Sequence, residues 1–212
     1  MTDSNDTKSG PRRGETISGG MNSCWFCAKP VSPQALFCHS CGSLQPPPDV
    51  DAFTRLRLPA RFDIDQADLE RQAAGFTRIL DPARLEKRGT MERTMAERHR
   101  AAIADAHAEL RDPLRRARLL LEKADRYLPD IEADAGPWRE EFSLALDATA
   151  VDRIAARLQG EMEAALRDLA AAFRADDLDR AEKLVRHVEA LSLAVMEGRV
   201  RRSELLAGSP GF

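Results

Sequence analysis

Apolar side chains recur at helical spacing through most of this chain, and the breaks between the runs are marked by proline, glycine and aspartate. Residues 1 to about 22 show no such periodicity and read as a disordered leader rich in Ser, Asp, Gly, Lys and Arg. After the run Pro46-Pro47-Pro48, which reads as a stiff polyproline linker, Asp51, Ala52 and Phe53 open a short helix that stops before Pro59. Asp65 is placed to cap the next helix, on which Leu69, Ala73, Phe76 and Leu80 form one face. That helix ends at Asp81, because Pro82 disfavours α geometry in the residue before it. A polar loop with Arg84, Lys87, Arg88 and Gly89 is expected to follow.

The next helix is predicted over Met91 to Arg111, with Met95, Ile103, Ala106 and Leu110 inward. Asp112-Pro113 supplies a cap and a first-turn proline for a further helix carrying Leu114, Ala117, Leu121 and Ala124. Pro129, Gly136 and Pro137 then interrupt the pattern, and Trp138 to Leu146 fits a short helix. Ile154, Leu158, Met162, Ala165, Leu169 and Phe173 make a long stripe, and Ala181, Leu184, Val188, Leu191 and Val195 repeat it beyond a turn at Asp176-Asp177. Two such helices joined by a short turn must pack antiparallel to bury their stripes. The fold class is therefore all-α, with a small cysteine unit ahead of two helical regions, 51–128 and 129–207.

The four cysteines of the 212 residues change this picture most, since all lie between Cys24 and Cys41. The first twenty residues lack the apolar stretch of a secretory signal, and no run of about 18 apolar residues could span a membrane. The expected compartment is cytoplasmic, where a disulfide framework is improbable. Cys24-Trp25-Phe26-Cys27 and Cys38-His39-Ser40-Cys41 form two knuckles, each aiming a pair of thiolates at one point. Together they complete the tetrahedron preferred by structural zinc, within a unit spanning residues 23–45. Iron in a rubredoxin-like site uses the same ligands, so the metal stays open between the two, with zinc favoured. Gly42 suits the tight turn after the second pair, and His39 reads as a bystander because four thiolates already saturate the metal.

Charge narrows the function classes. The net formal charge is −3, which disfavours a nucleic-acid binder that works by bulk electrostatics. Residues 61–128 carry 15 basic and 13 acidic side chains, whereas 129–212 carry 11 and 17, so the two helical regions are expected to meet different partners. No phosphate-cradling Gly-rich loop and no nucleophile elbow is present, so the sequence reads as a non-enzyme. Arg111, Arg115, Arg116 and Arg118 read as a solvated helix face, and His99, His107 and His187 as surface or packing residues.

Three ordered stretches resemble HscB, the J-domain co-chaperone family of iron–sulfur cluster assembly. They are Leu58-Pro59-Ala60-Arg61-Phe62-Asp63-Ile64-Asp65, Ala101 through Leu121 with Leu110-Arg111-Asp112-Pro113-Leu114, and Ala172-Phe173 through Asp176-Asp177-Leu178 with Ala181-Glu182-Lys183. Cys24-Trp25 and Phe37-Cys38, followed by Leu44-Gln45, resemble the zinc-binding leader of the family's eukaryotic branch. The resemblance implies a J-like domain over 51–128, a C-terminal client- or scaffold-binding bundle over 129–207, and two partners, a DnaK-type chaperone and an iron–sulfur scaffold protein. The family's His-Pro-Asp motif, which engages the chaperone and stimulates its ATPase, falls on Asp81-Pro82-Ala83. Only the proline is kept, which puts stimulation in question. Arg78 and Arg84, with Arg71, Lys87 and Arg88, still make that region basic. The resemblance places client binding near Trp138, Phe142 and Leu146. A diverged interaction protein without stimulation is the alternative reading, and a zinc-ribbon nucleic-acid binder a more distant one.

Overall fold

The computed structural model describes residues 16–17, 20–129 and 135–207. Three short antiparallel strands come first, in the order β1 (Thr16–Ile17), β2 (Met21–Ser23) and β3 (Pro30–Val31). Thr16 pairs with Asn22, and Asn22 with Val31, so strand pairing begins ahead of the first cysteine. The rest of the predicted leader lies outside the described residues.

Among the described residues eight helices follow: α1 (Ala52–Leu56), α2 (Gln66–Ile79), α3 (Pro82–Leu85), α4 (Thr90–Arg111), α5 (Pro113–Lys123), α6 (Gly136–Ser143), α7 (Ala148–Arg174) and α8 (Leu178–Ala207). Aspartates start many of them. Asp51 accepts from the Thr54 amide, Asp112 from Leu114 and Arg115, Asp147 from Ala150, and Asp177 from Arg180. Between α7 and α8 the chain turns through Asp176 at φ 55°, a left-handed value that aspartate tolerates. None of the described helices is long and apolar enough to cross a membrane.

Two elements differ from the sequence reading, and one is β1, which falls in the segment expected to be a disordered leader. The other is Pro82 to Leu85, a helical turn rather than open loop. Pro82 sits in the first turn with its φ preset, Asp81 caps it through the Ala83 amide at 2.8 Å, and Leu85 is buried. A four-residue helix is too short to show any periodicity.

The chain forms two compact units. Met1–Leu58 and Gln66–Ala108 make the first; Pro59–Asp65 and Glu109–Phe212 make the second. The core of the first includes Phe53, Leu56, Leu69, Leu80, Leu85, Ala96 and Ile103. In the second, two clusters lie along the α7–α8 hairpin. At one, Phe142, Val151, Leu158, Leu191 and Val195 meet; at the other, Phe62, Ala117, Leu121, Leu169, Ala172 and Val185. Helix α5 thus gives its apolar face, Ala117 and Leu121, to the hairpin. The segment 59–65 joins it through Phe62, whose ring stacks on Phe173 at 5.1 Å.

Candidate metal centre and partner surfaces

The two Cys-x-x-Cys turns are built alike. In the first, the Cys24 amide donates to the Lys29 carbonyl and the Ala28 amide returns to the Cys24 carbonyl, both at 2.9 Å. In the second, Cys38 donates to Ser43 and Gly42 returns to Cys38. The residue after each pair, Ala28 (φ 60°) or Gly42 (φ 72°), adopts the left-handed conformation that folds the knuckle back. Glycine does this without strain; Ala28 carries a Cβ penalty of roughly 1–2 kcal/mol. The four Sγ atoms lie within 4.8 Å of one another, with Cys24–Cys41 and Cys27–Cys38 each 3.8 Å apart. Zinc–sulfur bonds of about 2.3 Å in a tetrahedron require sulfur separations of roughly 3.8 Å. The cysteines therefore fit a tetrahedral thiolate-binding metal ion.

The electrostatics of the cage point the same way. Burial pushes the Cys24 thiol up, but the Cys27 amide, the Ser43 hydroxyl and the Phe26 amide outweigh it and bring it down to about 5. Cys41 is lowered too, first by the Ser43 hydroxyl and then by the Ser43 amide. Cys27 goes the other way. The Lys29 amide favours its thiolate, yet burial and the neighbouring Cys41, Cys24 and Cys38 sulfurs together raise it to about 11. Four thiolates this close repel one another, so a cation among them is what lets all four ionise.

Polar side chains rarely flagged by pattern support the cage. Ser43 Oγ lies 3.4 Å from Cys24 Sγ and 3.1 Å from Cys41 Sγ. Gln45 Nε2 donates to Cys24 Sγ at 3.4 Å and to the Ser43 carbonyl at 2.9 Å, and both Ser43 and Gln45 are buried. Trp25 Nε1 donates to the Leu44 carbonyl at 2.7 Å. Helix α4 contributes as well. Glu92 accepts the Leu44 amide at 2.8 Å, and the buried His99 Nε2 donates to the Gln45 carbonyl at 2.9 Å. Arg88, just before α4, donates to the Gly42 carbonyl and to Glu92, both at 2.8 Å, and lies over the Phe37 ring. Arg88 is therefore committed to the cysteine unit. His39 stays exposed.

At Asp81-Pro82-Ala83, the Asp81 carboxylate is engaged in capping α3. Arg78, Arg84 and Lys87 are exposed around it. Beside it, Leu80, Pro82, Leu85 and Ala96 line a concavity of about 80 Å³ flanked by Arg93, Glu97 and Arg100.

In the second unit the three residues singled out near α6 separate. Phe142 is only 3% exposed and packs against Gly198 of α8. Trp138 is half-buried against the same cluster, its ring 6.3 Å from that of His187. Leu146 is 91% exposed, and Leu144, Met196 and Val200 are exposed as well. Of the four arginines read as a solvated face, Arg111 and Arg115 are exposed, but Arg116 and Arg118 depart from it. Arg116 is 7% exposed, donates through Nη1 to the Leu110 carbonyl and lies 4.9 Å over the Phe62 ring. Arg118 pairs with Glu189 at 2.6 Å. Their long stems let the charged heads reach Phe62 of segment 59–65 and Glu189 of α8 from α5.

Comparison with known proteins decides the family. The chain is 35% identical over 128 residues to a co-chaperone protein HscB homolog of Bordetella petrii, spanning 56% of this chain and 74% of that one. It belongs to the HscB co-chaperone family. An iron-sulfur cluster co-chaperone protein HscB homolog of Arabidopsis thaliana is 26% identical over 174 residues, covering 78% of this chain and 68% of its own. The crystal structure of human co-chaperone protein HscB superposes with a TM-score of 0.76 at 24% identity, over 86% of this chain and 99% of that one, and so shares the fold. No family model matches the chain. Membership accords with the resemblance read from Leu58–Asp65, Ala101–Leu121 and Ala172–Lys183, and the clustered cysteines fit its metal-binding leader. Gln45 entered only through the resemblance to the family's leader, and Glu92 and Ser43 carried no motif. For Glu92 the available signal was its i, i+4 spacing from Arg88, which more often marks a solvated pair.

Proposed function

We propose that this HscB-family chain is a co-chaperone or adaptor in iron–sulfur cluster assembly, holding a cluster scaffold or apo-protein and a DnaK-type chaperone. The observation that carries the reading is the match to the Arabidopsis iron-sulfur cluster co-chaperone homolog over 78% of this chain. The J-like domain, 51–128, meets the chaperone. The bundle, 129–207, meets the scaffold through an apolar surface in which Leu144 and Leu146, exposed beside Trp138 and Phe142, take the contact. The residues 23–45 hold a structural zinc ion through Cys24, Cys27, Cys38 and Cys41, which would cross-link the two knuckles.

The chaperone contact is electrostatic. Arg78, Arg84 and Lys87, extended by Arg93 and Arg100, give a cationic surface around Asp81-Pro82-Ala83 that suits an acidic chaperone face. The motif has lost the imidazole at position 81 and the carboxylate at position 83, and the Asp81 carboxylate serves as a helix cap. Docking therefore proceeds with little or no ATPase stimulation. The test is the steady-state ATPase rate of the host's own DnaK-type chaperones with the wild-type chain and with the Asp81→His, Ala83→Asp double variant. A rate that rises only with the double variant supports a preserved docking surface. No rise with either protein refutes chaperone docking at this surface.

A further inference from the structure

The cysteine unit could be a separate module on a proline tether. The contacts within the first unit argue otherwise. Three of the four residues after Cys41 are held through their backbone by side chains at or near α4: Gly42 O by Arg88, Leu44 N–H by Glu92, and Gln45 O by His99. The same stretch is tied back to the first knuckle, because Trp25 grips the Leu44 carbonyl and Gln45 Nε2 reaches Cys24 Sγ. The proline run is gripped as well. Arg55 Nη2 donates to the carbonyls of Pro48 (2.9 Å) and Val50 (3.3 Å). Glu92 is the hub. Its side chain is only 14% exposed, and one oxygen serves both the Leu44 amide and Arg88.

We propose that metal binding at the four cysteines and the seating of residues 42–45 on α4 are one coupled equilibrium, with Glu92 as the positioning residue that joins them. The bound ion fixes the second knuckle, and the knuckle fixes where the Gly42 carbonyl and the Leu44 amide stand. Those groups hold Arg88 and Glu92, and with them the start of α4. Coupling is reciprocal: whatever weakens the seat on α4 weakens the metal, and whatever removes the metal loosens α4. The unit is thereby a structural clamp on the J-like domain. This inference rests on the metal reading of the four cysteines and on no assumption about the chaperone or the scaffold.

The test uses the zinc-loaded full-length chain. Loss of zinc to a chromogenic chelator is timed for wild type, Glu92→Ala and Glu97→Ala, the last an exposed carboxylate on the same helix. Amide exchange over α4 is read before and after stripping the wild-type chain. The proposal expects Glu92→Ala to release zinc at least about 5-fold faster than wild type, Glu97→Ala to match wild type, and stripping to deprotect the first half of α4. Arg88→Gln gives a second reading should Glu92→Ala not fold. Equal release from all variants, with α4 exchange unchanged by stripping, overturns the coupling while leaving the metal site intact. A chain that takes up no zinc overturns both.

Discussion

Gly198 and Gly160 both lie inside long helices, yet substituting each with alanine has different expected outcomes. A Cβ added at Gly160 meets nothing within 4 Å, whereas one at Gly198 would lie 2.5 Å from Phe142 Cζ and 2.6 Å from Cε1. Comfortable carbon–carbon contact needs about 3.5–4.0 Å, so the Phe142 ring must retreat by roughly 1 Å or more. The ring is buried against Val151, Leu158, Leu191 and Val195, which leaves it little room. Both substitutions gain about 1 kcal/mol of helix propensity. Overpacking at Gly198 costs roughly 1–3 kcal/mol. The difference between the two variants isolates the clash: Gly160→Ala should be the more stable by about 1–3 kcal/mol. At about 2–4 °C per kcal/mol for a chain of this length, that is roughly 2–12 °C in Tm. Thermal and urea unfolding followed by circular dichroism give the comparison. Adding Phe142→Leu to Gly198→Ala should return most of the loss, because the shorter side chain vacates the contact. Equal stabilisation by the two alanines would refute the packing of α6 on α8 argued above.

Two further outcomes follow from buried polar groups. Burial holds the His99 imidazole below its ordinary value of 6.5, against the opposing Gln45 carbonyl and with a smaller contribution from the Arg55 cation. The unfolded chain therefore takes up this proton first, so the His99 contribution to stability is present above pH 6.5 and lost as pH falls through the lowered folded value. Urea midpoints between pH 7 and 5.5 should fall more steeply for wild type than for His99→Gln; parallel curves would show that His99 titrates as it does unfolded. Arg116 has a buried Nε without a partner and one carbonyl contact through Nη1. Arg116→Met, which keeps the stem over Phe62, should lie within about 1.5 kcal/mol of wild type, and Arg116→Ala should lose about 1–3 kcal/mol. Equal losses in the two variants, measured by urea unfolding, would mean that charge rather than packing matters there.

The hairpin was legible because its two long stripes have no other way to be buried, and helix starts at Asp112-Pro113 and Asp51 were legible because caps are local chemistry. The gathering of the four cysteines was legible from spacing alone. What escaped depends on distant chain. Arg116 and Arg118 look like solvent-facing charges until segment 59–65 and α8 come to meet them. Ser43 and Gln45 fall within the cysteine unit but read as ordinary polar surface, yet sulfur acceptors and α4 let them be buried. Helix α5 reads as part of the J-like domain by order along the chain, but its apolar face belongs to the hairpin's cluster. Pro82–Leu85 is too short for any pattern.

In the role proposed for it, one chain holds two partners. Its most direct measurement immobilises the tagged full-length protein and asks whether the host's iron–sulfur scaffold and its ATP-loaded DnaK-type chaperone are retained, separately and together. Both should be retained, with the chaperone lost at high salt because its contact is cationic, and the scaffold lost when Leu144 and Leu146 are changed to serine. Retention of neither partner would contradict that role.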